Sequence, residues 1–138
     1  MNRIKVMKFG GTSVATQENR LLAAMKVVSA REQGFAPVVV VSAVGRKGAP
    51  YATDTLINEL SQIDETTDID PREQDLMIAC GEIFSAVIFG QTLRSLGHHA
   101  RSFRGGQAGI RTDGVYGNAR IVSINPAGIL RSIEAGYI

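Results

Sequence analysis

The sequence predicts an α/β protein built on a parallel sheet. Residues 3–9 and 37–43 are segments of strand length, and a segment with apolar residues at helical spacing lies between them. The second strand, PVVVVSA, is apolar at almost every position, which is typical of strands covered on both faces. A strand, a helix and a strand with short connections form a βαβ unit, which places both strands parallel in one sheet.

The composition is that of a soluble globular domain. The 138 residues are 44% hydrophobic and 20% charged, and a chain of this length buries roughly 68% of its unfolded surface. The net charge of +2 is too small to indicate a nucleic-acid or membrane partner. The longest apolar run contains Glu82 and is shorter than the roughly 20 residues of a membrane span, and no signal peptide is evident. With Cys80 as its single cysteine, the chain is expected in the cytoplasm.

The first βαβ unit has clear boundaries. The strand over residues 3–9 is followed by Thr16, which is expected to cap a helix over about residues 17–33. Gly34 is expected to end that helix. The apolar face of the helix is predicted from four residues at helical spacing: Leu21, Leu22, Met25 and Val28.

Two more helices are predicted after the Gly- and Pro-containing loop 44–53. The first covers about residues 54–63. The second begins where Asp70 is the N-cap, Pro71 takes the first helical position and Glu73 closes a capping box. Gly81 and Gly90 are expected to break or kink this helix, and Gly97 is expected to end it after Leu96.

The last third of the chain predicts two strands and a helix. The strands are residues 99–103 and 120–124, separated by the turn GGQAG. Asn125 and Pro126 then cap a helix that ends near Gly136. The apolar pair Tyr137 and Ile138 resembles the start of another strand, so we expect the first part of a larger domain.

A glycine pair lies at the first strand-to-helix junction, in KFGGTS. Gly10 and Gly11 let backbone N–H groups approach an anion closely, and the following helix adds the positive end of its dipole. Lys8 adds a full charge that we expect to be buried toward a ligand. The spacing is neither that of a Walker P-loop nor G-x-G-x-x-G. A phosphate cradle is favoured over the alternative, a tight turn with a lysine that reaches solvent.

Glu82 is the one charged residue between Asp75 and Arg94. An ionised carboxylate in such an apolar run is costly unless it is paired or faces a polar cleft. It is therefore a candidate to bind an ammonium group or to act as an acid or base. The alternative is a helix break at which Glu82 points to water.

Ser42 and Thr53 flank the loop after the second strand, where ligands of open α/β sheets bind. Both are candidates for ligand contact, and an ordinary helix cap at Thr53 is equally open. Arg46 and Lys47 are interpreted as solvated.

The other reactive side chains suggest no further site. Cys80 is expected in the core. His98 and His99 lack partners at metal-ligand spacing, so no metal-binding residue is expected.

Several separated motifs resemble those of aspartokinases. VMKFGGTSV resembles the opening signature of that family, and VVVVSAVGRKGAPYATDTL resembles its second strand and threonine-containing loop. DLMIACGEIFSAVIFGQTL is similar to its Gly-Glu helix, and GGQAGIRTD and GNARIV look like later substrate-domain segments. The resemblance extends over essentially the whole chain.

This resemblance implies the amino acid kinase fold, a three-layer α/β/α sandwich around a mainly parallel sheet. It implies transfer of the γ-phosphoryl group of ATP to the side-chain carboxylate of L-aspartate, with Mg²⁺ bridging phosphate oxygens. The reaction belongs to the biosynthesis of lysine, threonine, methionine and diaminopimelate, and a homo-oligomer is implied.

The matching motifs also imply which residues of this sequence form the binding site. Lys8 is the implied catalytic residue, in contact with the transferring phosphates. The implied ATP- and phosphate-binding residues are Lys8, Phe9, Gly10, Gly11 and Ser13. The implied substrate-binding residues are Ser42, Thr53 and Glu82, with Glu82 pairing with the ammonium group of aspartate.

Residues 1–138 would form the N-terminal portion of the kinase domain. In that family the Gly-Arg-Gly-Gly-Ser-Asp segment, most contacts to adenine and ribose, and the regulatory ACT domains come later, so we expect the isolated chain to be inactive. Two alternatives stay open. One is another amino acid kinase, acting on glutamate or N-acetylglutamate. The other is a non-catalytic half-domain that binds an anion or self-associates through an open sheet edge.

Overall fold

The computed structural model describes residues 3–138. In chain order the elements are β1 Arg3–Phe9, a 3-10 turn Gly11–Val14, α1 Gln17–Glu32, β2 Phe35–Val41, α2 Thr53–Ser61, α3 Pro71–Ser95, β3 Ile110–Thr112, β4 Ile121–Ile124 and α4 Ala127–Glu134. The predicted α/β class is confirmed, because helices pack against a parallel strand pair.

Strands β1 and β2 pair in parallel, as the βαβ pattern predicts. Lys8 lies opposite Val40 and Phe9 opposite Val41, and the ladder continues where the Ser42 N–H donates to the Phe9 carbonyl at 3.2 Å. Both strands therefore end at the same edge of the sheet, from which the glycine turn and the loop 42–52 leave.

The core lies on one face of this sheet. Apolar residues of β1 and β2 pack there against a buried cluster from α1, α3 and nearby segments: Val14, Ala23, Ala24, Val27, Phe89, Leu93 and Ala100. On the other face Ile4, Val6 and Val40 stay exposed, Val6 by 67%. We call this surface the open face. Within residues 3–138, the expected cover on both faces of β2 is present on one face only.

Helix α1 is confirmed, but its predicted apolar face is wrong. The Asn19 N–H donates to Thr16 Oγ1 at 3.1 Å, so Thr16 is the N-cap, and Gly34 follows the helix with φ +82°. Three of the four residues predicted to face the core are exposed: Leu21, Leu22 and Met25. The buried side chains are mostly alanines together with Val27. Small side chains let α1 approach the sheet closely. A prediction based on the spacing of large apolar residues does not detect such a face.

Helix α3 begins as predicted and continues without a break. The Asp70 carboxylate accepts from the N–H groups of Arg72 and Glu73 at 2.9 and 3.1 Å. Glu73 pairs with the Arg72 guanidinium rather than closing a capping box. The helix runs straight through Gly81 and Gly90, so neither is a break, and Gly97 follows its end with φ +84°.

By length and composition alone, α3 could cross a membrane. A single such helix is a weak indicator, because the core helix of a soluble protein meets the same criteria. The buried stripe of α3 packs inside this domain and comprises Gly81, Ser85, Phe89 and Leu93. Cys80 lies on the exposed side, so its expected place in the core is wrong.

Residues 99–103 form an extended segment rather than the regular strand predicted. The Ile138 N–H donates to the His99 carbonyl at 2.8 Å, and the Arg101 N–H donates to the Ile138 carbonyl at 2.9 Å. This pattern places Ala100 beside Ile138 as in a parallel pair, so the predicted strand character is present locally at both segments.

The antiparallel pair of β3 and β4 projects from the domain. The predicted strand at residues 120–124 corresponds to β4, whereas β3 was missed because its three residues follow a glycine-rich turn. Helix α4 begins after Asn125, whose side chain accepts from the Ala127 N–H at 3.2 Å, and Gly136 follows it with φ +84°.

Candidate functional site

The glycine turn leaves β1 with extended backbone at Gly10 and enters the 3-10 turn at Gly11. The first N–H groups of such a turn have no acceptor within it, so those of Gly11 and Thr12 are suited to bind an anion. Ser13 is exposed beside them, and its own N–H donates to the Gly10 carbonyl at 2.9 Å. Helix α1 starts at Gln17, after the 3-10 turn, so the contribution of its dipole to this site stays a prediction.

Gly11 is required by close packing rather than by an unusual φ. A Cβ at this position would lie 2.4 Å from the Ala43 carbonyl oxygen and 2.8 Å from that of Gly45. The Gly45 N–H also donates to the Gly11 carbonyl at 3.0 Å. A Cβ on Gly10, by contrast, would meet nothing within 4 Å, so the backbone there faces free space.

Lys8 is exposed, so the expectation of a buried lysine is wrong. Strand alternation puts its side chain on the open face with Ile4 and Val6. The same alternation sends the Phe9 side chain into the core, where its ring stacks on Phe89 at a centroid distance of 5.7 Å. The side chain of Phe9 therefore anchors the end of β1.

The loop 42–52 is held between the glycine turn and α3. At Gly81 an added Cβ would lie 2.6 Å from the Tyr51 carbonyl oxygen and 3.0 Å from the Ala43 Cβ. The Tyr51 ring stacks on Phe84 of the same helix at 3.9 Å. We call Gly11, Gly81 and the loop between them the glycine junction. It brings three motifs that are distant in sequence into contact.

Thr53 is the first residue of α2 and is half-buried, while Ala52 occupies the N-cap position. The alternative that Thr53 caps the helix is therefore wrong. Sequence reasoning missed Thr55, whose Oγ1 accepts from the Gly48 N–H at 3.1 Å and orders the loop. The signal was its place in the first turn of a helix that follows a glycine-rich loop.

Glu82 follows Gly81 on α3 and lines a cavity of about 470 Å³. The cavity lies between α3, β2 and the segment 100–105. Its Oε2 atom is fully buried and has no hydrogen-bond partner among residues 3–138. The other site residues predicted from the sequence do not line this cavity: Lys8, Phe9, Gly10, Gly11, Ser13, Ser42 and Thr53.

Besides Glu82, the charged residues that line this cavity are Arg101 and Arg104. Arg101 is committed to other partners, since its guanidinium donates to Ser132 Oγ at 3.2 Å and lies 4.1 Å from the centre of the Tyr137 ring. Within the described range 3–138, the one ion pair joins Arg72 and Glu73, so Glu82 has no cationic partner there. The arrangement leaves a carboxylate available to a ligand cation.

The comparisons with known proteins agree on one family. The sequence model of the amino acid kinase family matches residues 3–138. Aspartokinase 1 of Bacillus subtilis is 45% identical over 124 residues, which is 90% of this chain and 30% of that protein. The aspartokinase of Thermus thermophilus is 38% identical over 133 residues, covering 96% of this chain and 31% of that protein.

A solved structure supports the same match. The crystal structure of aspartate kinase from Synechocystis superposes with a TM-score of 0.78 at 31% sequence identity, covering 99% of this chain and 21% of that one. The chain thus spans about 30% of the length of the curated relatives it matches.

Proposed function

This chain belongs to the amino acid kinase family, and from that premise we propose that it supplies the phosphate- and aspartate-binding part of an aspartokinase. The reaction transfers the γ-phosphoryl group of ATP to the side-chain carboxylate of L-aspartate. The observation that carries the proposal is the glycine junction, because it joins the glycine turn, the loop 42–52 and the helix of Glu82.

The phosphate end of the site is assigned to the glycine turn. Backbone N–H groups of Gly11 and Thr12 would bind phosphate oxygens, and the open backbone of Gly10 allows a phosphate to approach. Lys8, on the open face close to the turn, would offset charge on the transferring group. Phosphoryl transfer needs positioning and charge stabilisation and no covalent enzyme intermediate.

The aspartate end of the site is assigned to Glu82, Ser42 and Thr53. A carboxylate with one fully buried oxygen and no cationic partner among residues 3–138 favours an ammonium group as its ligand. Ser42 and Thr53 stand at the two ends of the loop 42–52 and would contact the substrate from there.

Mg²⁺ enters this proposal as part of the MgATP substrate. Residues 3–138 contain no group of three or more His, Cys, Asp or Glu side chains placed to hold a metal ion. In this proposal the ion would be held by phosphate oxygens.

A chimera tests the proposal. The chain replaces the matching segment of Aspartokinase 1 of Bacillus subtilis, and acyl phosphate is trapped as a hydroxamate with ATP, Mg²⁺ and L-aspartate. We expect activity that falls at least about tenfold in Glu82→Gln, because a charge-assisted contact is lost, and about a hundredfold in Lys8→Ala. Glu59→Gln and Lys47→Ala make the same chemical changes at exposed positions and serve as controls. A folded chimera without hydroxamate would contradict the proposal.

The isolated chain is expected to form no hydroxamate, since it spans about 30% of the length of its relatives. Steady turnover by the chain alone would overturn this expectation. The alternative of a glutamate or N-acetylglutamate kinase predicts that those substrates compete with L-aspartate in the chimera. A cytoplasmic location, a homo-oligomeric state and a role in lysine, threonine, methionine and diaminopimelate biosynthesis belong to the same proposal.

A further inference from the structure

Two buried side-chain atoms lack hydrogen-bond partners among residues 3–138, and both are on α3. One is Glu82 Oε2, an acceptor, and the other is Ser85 Oγ, which can donate. An unsatisfied buried polar group costs roughly as much as a lost hydrogen bond, so two such groups on one helix require an explanation.

Ser85 differs from three other helical hydroxyl groups of this protein. Ser61, Thr92 and Ser132 each donate to the carbonyl four residues earlier, at 2.9 to 3.1 Å. This back-bonding is the usual way for a helical hydroxyl to be satisfied. Ser85 is 1% exposed and makes no such bond, so its buried hydroxyl has no hydrogen-bond partner among residues 3–138.

The position of Ser85 places it next to the site. It lies on the buried stripe of α3 between Gly81, which contacts the loop 42–52, and Phe89, which stacks on Phe9 at the end of β1. Residues three apart on a helix are neighbours, so Ser85 is one turn from Glu82 on a nearby face. The buried Oε2 atom of Glu82 leaves its other oxygen as the one available to the cavity.

We propose that Ser85 is a positioning residue that acts through Glu82. When a ligand ammonium group pairs with the outer oxygen of Glu82, the Ser85 hydroxyl donates to the buried oxygen and fixes the plane of the carboxylate. The inference rests on the proposed function, because it takes the ammonium group of L-aspartate as the ligand. Ser85 itself need not touch the substrate.

The first measurement is the stability of the ligand-free chain. Ser85→Ala removes an unpartnered buried hydroxyl, so its urea midpoint is expected to equal or exceed that of the wild type. Thr92→Val removes a hydroxyl that is bonded on the same helix and is expected to lower the midpoint. A clearly lower midpoint for Ser85→Ala would show a structural hydrogen bond and overturn the inference.

The second measurement is L-aspartate binding, followed by NMR on the same chain and its variants. Ser85→Ala is expected to weaken binding about tenfold, the effect of losing a hydrogen bond to a charged group, whereas Thr92→Val is expected to leave it unchanged. In a Glu82→Gln background Ser85→Ala should have no further effect, because coupled residues are not additive.

The two possible failures are distinguishable. Equal aspartate binding by the wild type and Ser85→Ala, or full additivity with Glu82→Gln, would overturn the inference and leave the proposed function intact. Absence of aspartate binding by the folded wild-type chain would overturn the assignment of the aspartate site to this chain and the inference with it.

Discussion

The glycine junction and the open face differ in how tightly their residues are packed. At the junction, backbone meets backbone so closely that Gly11 and Gly81 have no room for a Cβ. On the open face, Ile4, Val6 and Val40 are left in solvent although they are apolar residues of the two strands of the parallel sheet. The junction is complete within this chain, and the apolar surface of the open face is the kind that another surface covers.

This difference separates two kinds of constraint on the sequence. Residues at the junction are fixed by steric contact, so a single methyl group matters there. Residues on the open face are constrained by whatever covers them, and substitutions there are expected to have small effects on the ligand-free chain. Four predictions test where close packing controls the protein and where exposed residues are less constrained, from the largest effect to the smallest.

Gly11→Ala should have the largest effect. The new methyl group would collide with two backbone carbonyl oxygens, at 2.4 and 2.8 Å, and neither can move as a flexible side chain would. Urea unfolding should show a loss of about 3 kcal/mol, at the upper end for overpacking. The matched control is Gly10→Ala, where φ is −74° and a Cβ meets nothing, so stability should stay equal or rise by up to about 1 kcal/mol. Equal losses in both variants would contradict steric control at the junction.

Val27→Ala compares a buried with an exposed position on α1. Val27 is fully buried between the sheet and α3, and removing two carbon atoms with the resulting cavity should cost about 2 kcal/mol. Met25→Ala removes more atoms from the same helix, but Met25 is 54% exposed, so the loss should be below about 0.5 kcal/mol. The larger loss in Met25→Ala would show that the sequence-predicted face, rather than the observed one, is buried.

The course of the backbone could largely be predicted from the sequence. Caps and stops have local causes, so Thr16, Asp70 and Gly34 are all found where the sequence places them. The buried face of α1 could not be predicted, because periodicity counts large side chains and the close approach of the helix selects alanine. The same reasoning explains why Gly81 was expected to break α3, when its role is to admit the loop 42–52.

The candidate site was predicted in part. Local motifs identified the glycine turn, the loop and Glu82, and the structure brings their backbones together. The exposure of Lys8 could not be predicted, because it depends on which face of β1 is covered. Ser85 was not singled out either, because a serine becomes notable only when its burial, and its lack of a hydrogen-bond partner among residues 3–138, are known.

Gly81→Ala should show a smaller effect than Gly11→Ala at the same junction. The methyl group would clash with the Tyr51 carbonyl oxygen at 2.6 Å, but alanine is favoured over glycine in a helix by about 1 kcal/mol. The net loss should be about 1 kcal/mol in urea unfolding. Gly90→Ala on the same helix meets only the Ser102 hydroxyl at 3.0 Å, and a shift of that hydroxyl would strain its bond to the Ala86 carbonyl at 3.1 Å. The gain in helix propensity offsets this strain, so the change in stability should be smaller than in Gly81→Ala. A net gain in the stability of Gly81→Ala would show that the loop 42–52 can move away from the new methyl group without a loss of stability.

The smallest effect is expected in the exposed connector between α2 and α3, where local hydrogen bonds rather than burial hold the chain in place. Hydrogen bonds from the Thr66 and Thr67 side chains and the Thr66 backbone lower the pKa of Asp64 from 3.8 to about 2. A carboxyl group whose pKa is lower in the folded than in the unfolded state stabilises the fold at pH values above its unfolded-state pKa. For Asp64 this contribution is lost as the pH falls from 3.8 to about 2.

Carboxyl ¹³C NMR titration should therefore place the Asp64 midpoint near pH 2, and Thr66→Ala should raise it toward 3.8. Ser61→Ala, which removes a hydroxyl bonded to the Ile57 carbonyl, should leave that midpoint unchanged. An Asp64 midpoint near 3.8 in the wild type would mean that this connector is not held by its local hydrogen bonds. Exposed parts of the chain would then lack the defined geometry that the glycine junction obtains from close packing.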